Sequence, residues 1–457
     1  MPLAESRQPW IKGAGAAVAA VAAVKLLLHL YAGRHYGYFC DELYYLACAR
    51  HLAWGYVDQP PLIALVVAIV RAVLGDSLAA IRFLPALAGA GKVLLTGLIA
   101  RELGGKRFAQ GLAALCTLAA GGFLALDHFL SMNAFEPLFW MGCAWVVIRI
   151  VKTGDLKLWL WFGLWAGIGL ENKHSMLIFG FGILTGLLLT PERRLLRTKW
   201  LWIGGLVAFL IFLPNLLWNI QYHFPFLELQ ANIRRNGRNV DLTPLAFLGQ
   251  EILAMLPMSA PIWLAGLWFF FFHREGKPFR ALGWAWLTTA ALILALSPRI
   301  YYLFPAFPLL FAGGSVLWER WLAGARVQWV KPVYVALIVL MAAALAPTMV
   351  PLLPVETYIR YSAATHLAPP RIETHRASAR CRSFLPTSSA GRKWRPRWRA
   401  SITVCPRTFE PEPRSSRRTI PRRAPWTCLA RKTACPRPSV GTRATTCGDH
   451  ATTPARA

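Results

Sequence analysis

Gly205–Leu217 reads GLVAFLIFLPNLL without a single charge, and Leu282–Leu296 reads LGWAWLTTAALILAL, equally bare. A helix lying on a soluble core keeps a polar stripe on its solvent side. These two segments have none, so their surroundings must be apolar all round. Runs of the same kind recur from residue 11 to residue 350, many near the roughly 20 residues that a helix needs to cross hydrocarbon. The 457-residue chain as a whole agrees, being 56% hydrophobic with 20 Trp and 25 Phe and having a mean hydropathy of +0.42. Length alone would allow two or three soluble domains, but the patterning excludes them. The expectation is an all-α, polytopic membrane protein.

The net charge of +29 would suit a nucleic-acid binder, but its distribution does not. Cys381–Ala457 holds 17 Lys and Arg against 3 Asp and Glu, so +14 of the excess sits in one terminal segment. The remainder is spread over the short loops between apolar runs, as the positive-inside tendency requires. No interleaving of aromatic and basic residues accompanies it, and no nucleic-acid partner is implied. The nine cysteines form no CxxC pair, so neither a zinc knuckle nor a redox motif is signalled.

Loop charges also set the topology. Arg101–Arg107, Glu192–Lys199, His273–Arg280 and Glu319–Lys331 are basic and are placed on the cytoplasmic side. Crossings at about 108–126, 135–151, 157–171 and 174–190 separate the first two. Pairs at 200–219 and 246–272, then 281–297 and 300–317, separate the rest. The apolar run Pro61–Leu74 is short and bounded by Pro60 and by Gly75-Asp76, and is read as an interfacial helix. The Ala/Val-rich run Ala14–Tyr31 is an uncleaved first crossing. The count is then about 11 crossings, with the N-terminus inside and everything after about residue 350 outside the cytoplasmic membrane.

On that placement the unusual polar residues gather on the outer face: Asp41, Glu42, Asp58, Arg82, Asp127, His128, Glu136, Lys173, His174, Arg234, Arg235 and Arg299. Ionisable groups at membrane depth cost roughly 2.5–3.5 kcal/mol each on insertion scales, so their convergence marks a site. Tyr38–Tyr45 (YFCDELYY) is the strongest segment. Its adjacent carboxylates could cap a helix. Alternatively, one is a general base facing a pocket while its neighbour positions a partner or cation.

This segment resembles the family-39 glycosyltransferases of the GT-C group, relatives of the protein mannosyltransferases and of the aminoarabinose transferases of lipid A. The resemblance runs along roughly residues 10–350. Asp41-Glu42 on an amphipathic outer-face helix is followed by Pro60-Pro61-Leu62. Arg82-Phe83-Leu84-Pro85 is similar to the family's Arg-Leu-Pro entry to the next crossing. Ser131-Met132-Asn133-Ala134-Phe135-Glu136-Pro137 stands where the family has a second acidic motif, usually Asp-Pro. Lys173-His174 matches a basic position at a helix end, and Arg299-Ile300-Tyr301-Tyr302-Leu303-Phe304-Pro305 resembles a late Arg/Lys-x-Tyr-Tyr motif. The resemblance implies a polyprenyl-phosphate sugar donor within membrane lipid and inverting transfer to an acceptor that the sequence does not name.

Asp41 would then be the base, with Glu42 and Glu136 as further catalytic acids. Lys173 and Arg299 would hold the departing phosphate anion, with Arg82 and His174 behind them. Asp127, His128, Asn133, Tyr301 and Tyr302 complete the substrate-binding set. No cofactor is required, and a divalent cation can be accommodated. A transporter or flippase, or a polymerase, for lipid-linked glycans is the competing reading; against it, no internal repeat is evident.

Three stretches follow: a membrane catalytic domain over 1–350, the start of an outer region over 351–376, and an aberrant basic tail over 377–457. The tail is rich in Arg, Pro, Ser, Thr and Cys and has no periodicity. Codons can be chosen over Cys381–Pro396, and again over Ala434–Gly448, whose neighbouring frame gives an orderly segment. A frameshift that displaces an outer domain is the expectation. Sequencing through codons 370–385 should reveal it; an intact frame, with tryptic peptides from the tail, would refute it.

Overall fold

The computed structural model of the chain describes residues 14–235, 242–296 and 299–367. The basic tail and its frameshift reading, and the side chain of Arg234, lie outside the described residues. Among those residues every regular element is helical. In hydrocarbon a segment must pair its own backbone groups, which a helix does and an isolated strand cannot.

The helices are α1 (Ala14–Ala32), α2 (Cys40–Cys48), α3 (Leu62–Leu74), α4 (Leu78–Glu102), α5 (Arg107–Ala119), α6 (Gly121–Leu126), α7 (Met132–Thr153), α8 (Trp159–Asn172) and α9 (Met176–Leu188). There follow α10 (Lys199–Gln221), α11 (Pro225–Arg235), α12 (Pro244–Ala254), α13 (Ala260–Phe272), α14 (Arg280–Leu296), α15 (Phe307–Trp321), α16 (Val330–Met349) and α17 (Val355–Thr365).

Seven helical segments are long and apolar enough to cross a membrane, or up to nine if two bent pairs each count as one span. The protein is therefore a multi-pass membrane protein, while the count of 11 is not confirmed. Four differences account for the gap, the first being that α9 is only 13 residues long and turns by 114° into Pro191–Arg197. The run 108–126 breaks at Ala120 into α5 and α6, and α8 is only 14 residues long. The run 246–272 bends by 98°, where Leu256 adopts a left-handed φ of 73°. Strain of that kind costs about 1–3 kcal/mol and persists only where the surroundings impose it.

The short run after Pro61 forms α3, too short to span. One of its faces is buried through Ile63, Ala64, Val67 and Val70, against α2, α4 and α8. The other exposes Leu65, Ile69 and Val73, which suits an interfacial helix.

Without a hydrophobic force between helices in lipid, tight association needs small residues at the crossings. A Cβ on Gly163 or Gly204 would strike the backbone of the facing helix where α8 meets α10. Gly266 and Gly314 do the same for α13 against α15, and Gly186 for α9 against α14. The main core draws Phe269, Phe270 and Phe311 from these helices and Trp140 from α7. α1 packs on α4 and α5, which brings Lys25 of α1 and Lys92 of α4 to Asp127, just after α6; all three are fully buried. Gly89 makes room for them, since a Cβ there would lie 2.8 Å from Asp127 Oδ2 and 3.1 Å from Lys25 Cε.

A protease-sensitive tag inserted at Gly75 tests the placement of α3. It should be cut by protease added outside intact spheroplasts. Cleavage only after lysis would mean that Leu62–Leu74 crosses.

Candidate active site

α2 begins at Cys40 because Phe39 is extended and Asp41 and Glu42 fall in its first turn, where carboxylates complement the helix dipole. The two then diverge. Glu42 is fully buried. Its Oε2 accepts the Phe39 N–H at 2.8 Å, closing the helix start, and also Arg82 Nη2 at 2.8 Å. Its Oε1 accepts Arg82 Nε at 2.8 Å and the Leu130 N–H at 3.0 Å. Arg82 spends its remaining donors on the carbonyls of Gly37, His35 and Gly33, at 2.9, 3.2 and 3.5 Å. One planar fork thus ties α4, the end of α1 and the start of α2, as a bidentate guanidinium can and an ammonium cannot.

Asp41 is half-buried and receives the Cys40 thiol at 3.5 Å. Asp41, Asp58 and Tyr301 all act electrostatically on the Tyr45 hydroxyl, whose pKa burial and these neighbours raise well above its usual value. Each therefore lies within electrostatic reach of that hydroxyl. Asp58 accepts the Tyr44 hydroxyl at 2.7 Å; burial raises its pKa above the ordinary carboxylate value, and that hydrogen bond opposes the shift.

The second centre is built from α7, the α8–α9 junction and the 3-10 turn Ile300–Tyr302. Asn133 and Glu136, three residues apart, share a face of α7. Lys173, extended at the end of α8, donates to Glu136 Oε2 at 2.7 Å and to Asn133 Oδ1 at 2.8 Å. Its ammonium also lies 4.5 Å from the centre of the Tyr302 ring and 5.4 Å from that of Tyr301, within cation–π range. The Ser175 hydroxyl donates to the other Glu136 oxygen. Arg299 Nη1 donates to the Tyr301 hydroxyl at 3.1 Å.

Of the residues expected from the motifs, Asn133, Glu136, Lys173, Arg299, Tyr301 and Tyr302 thus come together, while Asp41 and Tyr301 each lie within electrostatic reach of Tyr45. Glu42 and Arg82 instead engage each other. Asp127, expected at the substrate, is enclosed: Lys25 Nζ lies 3.1 Å from its Oδ2 and Lys92 binds its Oδ1. His128 turns its Nδ1 to the Ala125 carbonyl at 2.9 Å; burial lowers its pKa to about 4, which leaves it neutral near pH 7. His174 is 3.1 Å from Asn215 Oδ1 and packs edge-on against Phe212 and Phe226. Burial lowers its pKa too. Asn215 in turn holds the Trp54 carbonyl at 2.7 Å, so His174 joins α10 to the first loop rather than to the Lys173 centre.

The sequence reading missed Lys25, Lys92 and Ser175. The two lysines stand alone inside otherwise apolar runs, a signal that was available; Ser175 gave none. Among the described residues no group of three His, Cys, Asp or Glu could hold a metal ion.

Residues 58–218 match the family described as dolichyl-phosphate-mannose-protein mannosyltransferase. The lipid A galacturonosyltransferase RgtD of Rhizobium johnstonii is 26% identical over 186 residues, 40% of this chain and 39% of RgtD. The matched segment thus spans about two fifths of that relative. Among solved structures, ArnT from Cupriavidus metallidurans bound to undecaprenyl phosphate aligns with TM-score 0.59 at 19% identity, covering 76% of this chain and 67% of ArnT. The oligosaccharyltransferase AglB from Archaeoglobus fulgidus, in complex with an inhibitory peptide and a dolichol-phosphate, gives 0.50 at 14% identity, covering 77% and 56%. The structural likenesses establish the GT-C membrane fold, and with the family match they bear out the resemblance read from the motifs.

The Glu42–Arg82 pair yields a stability test. Removing one partner leaves the other charged and buried, at a cost of about 3–5 kcal/mol. Glu42→Gln and Arg82→Met should each sharply lower the melting temperature in detergent, and the double variant should recover part of the loss. Single variants that melt like the parent would show that the pair is no clamp.

Proposed function

We propose that this protein is a glycosyltransferase that moves a sugar from a polyprenyl-phosphate donor to an acceptor at the outer face of the cytoplasmic membrane, with inversion and with Asp41 as general base. The observation that carries this reading is that Lys173 and Arg299 converge on Tyr301, which lies, like Asp41, within electrostatic reach of Tyr45. The relatives support it by what they bind or transfer: ArnT is bound to undecaprenyl phosphate, and RgtD transfers galacturonosyl groups to lipid A.

In the proposed reaction an acceptor hydroxyl gives its proton to a carboxylate oxygen of Asp41. The hydroxyl oxygen then attacks the anomeric carbon from the face opposite the phosphate. The bond from that carbon to the phosphate oxygen breaks, and the lipid phosphate leaves with both electrons. Lys173 and Arg299 are placed to meet the negative charge that grows there, where preformed donors act most strongly. Glu136 and Asn133 fix the Lys173 ammonium, and the tyrosine faces give it a partner that a phosphate can displace more readily than a carboxylate. Glu42 is then a structural acid rather than a catalytic one. Arg82 likewise organises the loop instead of touching the donor. The reading requires no cofactor and leaves room for a divalent cation.

A transporter for a lipid-linked glycan would instead draw on the two bent helix pairs, at 114° and 98°. One assay separates the readings. Membranes given a labelled polyprenyl-phosphate sugar should transfer the label. Asp41→Asn should lower the rate by about 10²–10⁴-fold, the usual scale of general-base loss, with insertion unchanged. Lys173→Met should also impair transfer. Full activity of Asp41→Asn removes the base; label that moves between leaflets without transfer supports the transporter.

A further inference from the structure

We propose that Asp127, clamped by Lys25 and Lys92, is a positioning residue that sets the place of Asp41 through the turn Asp127–Leu130 and Glu42. This deepens the transferase reading and rests on it. Asp127 has no exposed surface, so it does not touch a substrate in this arrangement. Its two oxygens are divided between lysines from different helices: Lys25 of α1 at 3.1 Å from Oδ2, and Lys92 of α4 on Oδ1. The Asp127 N–H is also held, by the Phe123 carbonyl at 3.1 Å. The residue is therefore fixed by both backbone and side chain.

Three residues on, the Leu130 N–H donates to Glu42 Oε1 at 3.0 Å, and Leu130 is itself fully buried. Glu42 lies in the first turn of α2 and is the immediate neighbour of Asp41. The other ends of the clamp converge on the same carboxylate. α1, which carries Lys25, runs into the Gly33–Gly37 segment whose carbonyls accept Arg82, and α4 carries both Lys92 and Arg82. Three chain segments leaving the Lys25–Asp127–Lys92 cluster thus lead to Glu42 or to its partner Arg82.

A stability role alone accounts poorly for this cluster. Two cations against one carboxylate leave an excess charge in a fully buried site, and well-packed apolar side chains of similar volume would usually stabilise a fold as well or better. What the charges supply is a fixed geometry. Displacements of the order of 1 Å at a reacting group can cost about a hundredfold in rate, so fixing the turn that buttresses α2 has value for catalysis that it lacks for stability.

The test compares three full-length variants in the transfer assay, with rates normalised to inserted, monodisperse protein. Asp127→Asn should lower kcat about tenfold or more while the KM for the donor stays within about twofold. Asp127→Glu, which keeps the charge, should restore part of the rate. Lys25→Met combined with Lys92→Met and Asp127→Asn removes all three charges, so it should insert and melt like the parent yet show the same fall in kcat. A parental kcat in the triple variant overturns the proposal. So does a loss of inserted protein in all three with the rate per inserted molecule unchanged, which is the signature of a purely structural cluster. Asp41→Asn run in parallel keeps the two readings apart. If it is inactive and the triple variant is fully active, only the positioning role falls; if it stays active, the base assignment falls with it.

Discussion

The buried pair of Glu42 and Arg82 joins elements far apart in the sequence. Glu42 starts α2, Arg82 belongs to the first turns of α4, and the carbonyls of the Gly33–Gly37 segment and the Leu130 N–H complete the network. Two desolvated charges do not make a fold stable simply by meeting. Here the outlay is offset because both carboxylate oxygens and the guanidinium fork are saturated with hydrogen bonds. The consequence is directional: the loop after the first span is tied to α4 through Arg82, and Asp41 is carried on it.

A membrane interior sharpens this logic. Helices that cannot be driven together by hydrophobicity meet through glycine crossings such as Gly163 with Gly204 and Gly266 with Leu310. Charged groups within such a scaffold are tolerated where they satisfy one another. Among the described residues the buried ion pairs fall in three places: Glu42 with Arg82, Asp127 with two lysines, and Glu136 with Lys173. The third keeps its ammonium against two tyrosine faces as well.

Sequence reasoning found the members of this arrangement more readily than their partners. Arg82, Glu136, Lys173 and Arg299 are conspicuous because a charge inside an apolar chain has no bland background to hide in. Their pairing was not legible. Asp127 and Arg82 were both read toward the substrate, yet one is enclosed by Lys25 and Lys92 and the other is consumed by Glu42. Hydropathy says that a charge must be compensated, not by which residue forty or a hundred positions away. The crossing count of 11 is not confirmed, for a related reason. A window of apolar residues looks the same whether its helix is straight, broken at Ala120 or bent at Leu256, since the break depends on what the helix packs against.

The sequence by itself determined that this is an all-helical membrane protein and that the run forming α3 is short; its resemblance to a known family singled out Asp41, Glu136, Lys173 and Arg299 as candidates. The first two conclusions follow from local composition and the free energy of moving residues into hydrocarbon, which each segment carries in its own residues. Only the tertiary structure decided that neighbouring Asp41 and Glu42 have opposite fates, one half-buried toward the tyrosines and the other sealed beneath Arg82. Successive residues on a helix point about 100° apart, and which direction is the interior is set by the neighbours that the fold brings in.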